Sequence, residues 1–188
     1  VYIADKVQVR ATFHSPQPGY DYDIVVNPKM SFGTGHHETT YLMVSEQLNT
    51  DFRNKSFLDV GTGTGILAIM AKKMGAKSIT ATDIDDWCIS NSKENFALNA
   101  IENYNLLQGT IDKLTFPEPF DIILANINKN VLLADIPIYA NLLKSDGQLM
   151  ISGFYEDDID DLVSRATQNH LKLRHTRLRN NWAMIILN

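Results

Sequence analysis

From residue 55 onward the chain alternates short apolar runs with helix-period segments, and few architectures accommodate that rhythm. "SFLDV" at 56–60 reads as a strand, residues 65–74 as a helix stopped near Gly75, "SITATD" as a second strand and 86–99 as a helix. "YNLLQG" gives a third strand and "DIILANI" a fourth. Residues 129–144 read as helix with a break expected at Pro137, because proline removes a hydrogen bond and crowds the preceding turn. "GQLMISG" is a fifth strand, and in "EDDIDDLVSRATQ" Ile159, Leu162, Val163 and Ala166 fall at i, i+3, i+4 and i+7, the stripe of a core-facing helix. Strands at 171–177 and 182–187 close the pattern. Repeated strand–helix units specify an α/β fold, a mostly parallel sheet covered by helices on both faces.

The 188 residues suffice for one domain plus a small appendage. The appendage is residues 1–30, where Val7 and Val9, then Ile24 and Val26, alternate around the turn-forming "SPQPGYDYD" as short strands with a long loop. A formal charge of −5 argues against a dedicated nucleic-acid binder and suits a basic protein partner. Cys88 is the single cysteine, which excludes an intrachain disulfide and a cysteine-based zinc cluster and favours a reducing compartment. No apolar run approaches membrane-spanning length. The acidic run Glu156 to Asp161 reads as the solvated start of a helix. The chain opens "VYIADKVQVR" without an initiating Met, so a longer parent is expected.

In "FLDVGTGTGILAI", Gly61, Gly63 and Gly65 lie between the first parallel strand and its helix, at the carboxyl end where such folds hold ligands. Asp83 ends the next strand, 22 residues after Gly61, where a carboxylate can accept hydrogen bonds from both hydroxyls of a ribose. That combination points to a nucleoside ligand. A dinucleotide fingerprint would need Gly or Ala at position 66, which is Ile66, so no pyrophosphate is expected.

The D-x-G-x-G pattern followed by "ATDID" resembles the class I methyltransferases that use S-adenosylmethionine. In that class the loop after the third strand, here "GTIDK", lies beside the adenine. Asp112 is therefore a candidate contact, with a helix-starting aspartate as the alternative. Taken in order, "NPKMSFGTGHHETT", "FLDVGTGTGILAI", "ATDID" and "FDIILANI" resemble the ribosomal protein L11 methyltransferase family, PrmA. The resemblance implies a Rossmann-like three-layer sandwich with a mostly parallel seven-stranded sheet and an antiparallel C-terminal strand. Family cofactor-binding positions fall on Thr40, Gly61, Asp83 and Asn126, with Gly63 in the same glycine loop. The implied division is a strand, loop and cofactor flap over 1–36 and an S-adenosylmethionine-dependent methyltransferase domain over 37–188, the family's separate amino-terminal recognition domain being absent.

The implied activity is methyl transfer to amino groups of a ribosomal protein, lysine side chains and an α-amine, in the cytoplasm. Neither a direct nucleic-acid partner nor a membrane is expected, and a monomer is favoured. Asn126 is the candidate catalytic residue. Many amide and amine methyltransferases carry N-P-P-Y after the fourth strand, whereas this chain has Asn126-Ile127-Asn128-Lys129, which argues against glutamine-amide or adenine methylation. Asn128 is either part of the site or a helix cap. His36 and His37 are adjacent and so point in different directions, while helical zinc pairs sit at i, i+4; no metal site is expected, and capping or loop ordering is favoured over substrate contact. A small-molecule or RNA methyltransferase, or a non-catalytic cofactor-binding module, would share the same cofactor residues.

Overall fold

The computed structural model describes residues 1–27, 29, 33–35 and 37–188. The chain begins with a three-stranded sheet of β1 (Tyr2–Ile3), β2 (Val7–Arg10) and β3 (Tyr22–Val25), β1 antiparallel and β3 parallel to β2. After helix α1 (Glu38–Gln47) come β4 (Ser56–Val60), α2 (Ile66–Lys73), β5 (Ser78–Asp83), α3 (Asp86–Leu98), β6 (Tyr104–Gln108), β7 (Phe120–Asn126) and α4 (Lys129–Leu142). Then follow β8 (Leu143–Tyr155), one 3-10 turn, α5 (Ile159–Thr167), β9 (Leu173–Arg179) and β10 (Trp182–Leu187). The second sheet has seven strands in the order β6-β5-β4-β7-β8-β10-β9. Neighbours from β6 to β8 run parallel, and the last strand in sequence, β10, is antiparallel to both β8 and β9.

Strand side chains point alternately to opposite faces, and the apolar residues divide accordingly. Phe57, Ile79, Ala81, Ile122, Leu124, Met150, Met184 and Ile186 pack on one side with α1 and α2. Leu58, Val60, Ile123, Ala125, Leu149, Ile151, Ala183 and Ile185 pack on the other with α4 and α5. The result is the three-layer α/β sandwich. The three-stranded sheet is not a loose addition to it, because Ile3, Val7, Val9, Ile24 and Val26 belong to the same buried cluster as Leu42, Met43, Ile69 and Met70 of α1 and α2.

Pro137 does not break its helix, contrary to the expectation from sequence; α4 runs through it to Leu142, and β8 starts at the next residue. The proline deprives the carbonyl of Leu133, four residues earlier, of its helical donor. Arg165 of α5 supplies a replacement, its Nε donating to Leu133 O at 3.0 Å. The run at 156–161 is likewise more than solvated charge, since Asp158 and Asp161 both accept from Lys129 Nζ at the start of α4, at 2.8 and 2.7 Å.

Candidate functional site

The chain leaves β4 toward β5 and β6 on one side of the sheet and later returns through β7 toward β8 on the other. The carboxyl ends of β4 and β7 therefore flank a topological switch point, the usual ligand crevice of an open parallel sheet. A cleft of about 530 Å³ lies there, lined by Gly61, Asp83, Ile84, Ile111, Asp112 and Ile127 among others. Gly61 turns with φ +71°, and an added Cβ would lie 2.4 Å from Ile127 Cγ2, so only glycine lets the β4 and β7 loops meet without displacement.

Asp83 is 9% exposed, and its carboxylate braces the glycine loop. Oδ2 accepts from Gly63 N–H at 2.9 Å and Oδ1 from Asp85 N–H at 3.1 Å, which leaves each oxygen a further lone pair in a residue that lines the cleft. Asp59, inside the apolar strand β4, is a second acid at the same loop and is 1% exposed. Its Oδ2 accepts from Thr62 Oγ1 at 2.7 Å, while Oδ1 is buried without a partner. Burial pushes the Asp59 carboxyl up to about 7; the Thr62 hydrogen bond opposes this and the charge of Asp83 adds to it. In the unfolded chain the group titrates near ~3.9, so between about pH 4 and 7 the native state binds the proton more tightly and stability falls as pH rises. The loss reaches roughly 4 kcal/mol above pH 7. Asp59→Asn should remove that slope in denaturant titrations across this window; a slope identical to that of the parent would show that Asp59 does not carry it.

The remaining candidates fall around the crevice. Asp112, after β6, lines the cleft beside Asp135 of α4, whose carboxyl is raised by burial, against a Tyr139 hydrogen bond, and by the Asp112 charge. Asn126 closes β7 next to Ile127, with Oδ1 buried and unpartnered. Thr40 sits in α1, which packs on β7, β8 and β10; it is 1% exposed and its Oγ1 also has no partner. Neither Thr40 nor Asn126 lines the cleft itself. Asn128 is a cap, its side chain accepting from Val131 N–H at 3.1 Å. His37 caps α1, Nδ1 accepting from Thr39 N–H at 3.2 Å, and its ring meets Trp182 edge-on at 4.7 Å. His36, like Ser31 and Phe32 of the flap motif, lies outside the described residues. Among the described residues no group of three or more His, Cys, Asp and Glu could hold a metal ion.

The family described as "Ribosomal protein L11 methyltransferase (PrmA)" matches residues 1–188. The chain belongs to the PrmA family. Ribosomal protein L11 methyltransferase of Phocaeicola vulgatus is 46% identical over 185 residues, covering 98% of this chain and 66% of the relative. The Porphyromonas gingivalis protein of that name is 50% identical over 183 residues, covering 97% and 63%. The chain thus spans slightly less than two thirds of these relatives. A crystal structure of ribosomal protein L11 methylase from Lactobacillus delbrueckii subsp. bulgaricus superposes with a TM-score of 0.92 at 29% identity, covering 100% of this chain and 97% of that one. A methyltransferase from Pyrococcus furiosus shares the fold, at a TM-score of 0.73 and 16% identity over 87% of each chain.

Sequence reasoning assigned no individual role to three features of this PrmA-family site. Asp59 was visible as an acid within the apolar "FLDV", a pattern that fits a buried polar role. Ile84, 69% exposed beside Asp83, offers the cleft an apolar wall. Asn91 and Asn95 of α3, with Asn99 at its C-cap, are spaced four apart and hold the segment leading into "SFGTGHHETT".

Proposed function

We propose that this PrmA-family chain is the catalytic portion of an enzyme that methylates amino groups of ribosomal protein L11, at lysine side chains and an α-amine, with S-adenosylmethionine as donor. The observation that carries the reading is the buried Oδ1 of Asn126, an acceptor without a donor at the end of β7. A buried acceptor left unsatisfied costs about 1–3 kcal/mol, and such a cost is retained where a ligand supplies the missing hydrogen. The unpartnered Thr40 Oγ1, the glycine bend at Gly61 and the carboxylate of Asp83 suit a cationic nucleoside ligand.

Bound S-adenosylmethionine would supply an already activated methyl group on a sulfonium. Asp83 would hold the ribose hydroxyls, Asp112 the adenine edge, and Gly61 the close backbone approach. Asn126 would accept an N–H from the acceptor amine and fix its lone pair toward the methyl, so the protein's contribution is orientation and exclusion of water. A lysine ammonium must first lose its proton, which burial beside a cation favours. Recognition of L11 falls, on this reading, to the part of the relatives that this chain does not span. The single cysteine of this chain fits a cytoplasmic site of action, its formal charge of −5 argues against direct nucleic-acid contact, and the reading takes the enzyme as a monomer. Among the described residues no helix is long and apolar enough to cross a membrane.

Asn126→Leu tests the proposal because it removes the orphaned amide while keeping side-chain volume. Stability should be unchanged or slightly higher, whereas transfer of labelled methyl to L11 at high concentration should fall about 100-fold, the equivalent of ~3 kcal/mol. Undiminished transfer to L11, or transfer to ribosomal RNA alone, would overturn it.

A further inference from the structure

One face of α3 and its C-cap carries Asn91, Ser92, Asn95 and Asn99, the first three fully buried, and these side chains serve as a backbone-like edge for two separate segments. Toward the segment leaving β3, Asn99 Oδ1 accepts from Val25 N–H at 3.0 Å and its Nδ2 donates to Val25 O at 2.6 Å. Asn95 Oδ1 accepts from Asn27 N–H at 2.8 Å, and Asn91 Nδ2 donates to Asn27 O at 3.2 Å. Toward the glycine loop, Ser92 Oγ donates to Gly63 O and Asn95 Nδ2 to Thr64 O, both at 2.8 Å. Asn95 alone uses both ends of its amide on different segments. One end holds the loop that carries Gly61 and Gly63, and the other holds the chain two residues beyond β3.

Nothing in helix formation requires this. Asparagine is a poor residue for a helix interior because its side chain competes for backbone hydrogen bonds, and here Asn91 and Asn95 in the interior, with Asn99 at the C-cap, do so across the tertiary structure. The 25–27 segment leads into the glycines of the flap motif, where Gly33 O accepts from Thr64 Oγ1 at 2.5 Å. The glycine loop therefore meets the flap-bearing chain twice, at Asn27 through Asn95 and at Gly33 directly.

We propose that Asn95 is a positioning residue that couples the glycine loop to the 25–27 segment, so that a ligand held by the loop also orders the chain entering the flap motif. The ligand half of this rests on the S-adenosylmethionine reading, and the coupling itself does not. An amide carries its acceptor and its donors on separate atoms, so one Asn side chain can accept from one N–H and donate to a carbonyl on a different segment.

The test is residue-resolved amide hydrogen exchange in the parent chain and in Ser92→Ala, Asn99→Ala and Asn95→Ala, with and without S-adenosylhomocysteine. Without ligand, Ser92→Ala should speed exchange at least tenfold at 62–65 only, Asn99→Ala at 25–27 only, and Asn95→Ala at both. With ligand, the parent should gain protection at both segments, and Asn95→Ala at 62–65 but not at Asn27. Loss of general stability would not produce that split. If Asn95→Ala does not fold, Asn95→Ser is expected to give the same pattern. Faster exchange at only one segment in the Asn95 variant, or full transmission of ligand protection to Asn27, would overturn the proposal. A parent chain that gains no protection at either segment would refute the cofactor reading instead, and the ligand-free comparison would still decide the role of Asn95.

Discussion

Asp83→Ala is expected to weaken binding of S-adenosylmethionine and S-adenosylhomocysteine by at least about 100-fold. Hydrogen bonds to a charged group contribute ~1.5–3 kcal/mol each, and two ribose hydroxyls would be lost together. The same carboxylate holds Gly63 N–H at 2.9 Å, so the variant also loosens the loop on which the ligand rests. Asp83→Asn keeps an acceptor and should cost less, about tenfold. Calorimetry on folded protein reads both values. Unchanged affinity in folded Asp83→Ala would remove this residue from the site, and with it the nucleoside reading of the loop.

Gly153→Ala should be the most damaging of the glycine changes near the crevice. An added Cβ would lie 2.1 Å from the carbonyl oxygen of Ile127, and the residue sits at φ +104°. Strain of ~1–3 kcal/mol from the backbone and a similar overpacking cost combine to ~2–6 kcal/mol. For a chain of this size that lowers Tm by roughly 4–24 °C. The displaced group is the Ile127 peptide, which lies between Asn126 and the α4 cap Asn128, so transfer activity should fall further than stability alone explains. Gly61→Ala meets only the Cγ2 of Ile127, a side-chain atom that can rotate away, and should be milder. Equal Tm losses for the two variants would show that the Ile127 carbonyl can move freely.

Much of the sheet was legible because its strands alternate apolar residues between two faces, as Phe57 and Leu58 or Leu124 and Ala125 do. Periodicity of that kind is local, and β4, β5 and β10 were read with their observed limits. Pro137 was misjudged because the donor that replaces its missing hydrogen bond comes from Arg165, on another helix. Within the candidate site, Gly61 and Asp83 could be singled out by strand-end position and spacing. The state of Asp59 could not, because it depends on burial and on Asp83 across the β4–β5 pair, which no one-dimensional pattern displays. The asparagines at 91, 95 and 99 were visible as a spacing without a meaning, since their partners outside the helix lie 31 to 74 residues away along the chain.

The three-stranded sheet has a consequence for where the chain can be cut. A boundary placed at residue 37 follows the motifs, yet it would strip Ile3, Val7, Val9, Ile24 and Val26 from the cluster they share with α1 and α2. The exposed helices would present a contiguous apolar surface, the kind that drives aggregation. For excision, grafting or circular permutation, the transplantable module therefore includes the small sheet together with the large one, and a tolerant insertion point has to be sought in loops remote from both.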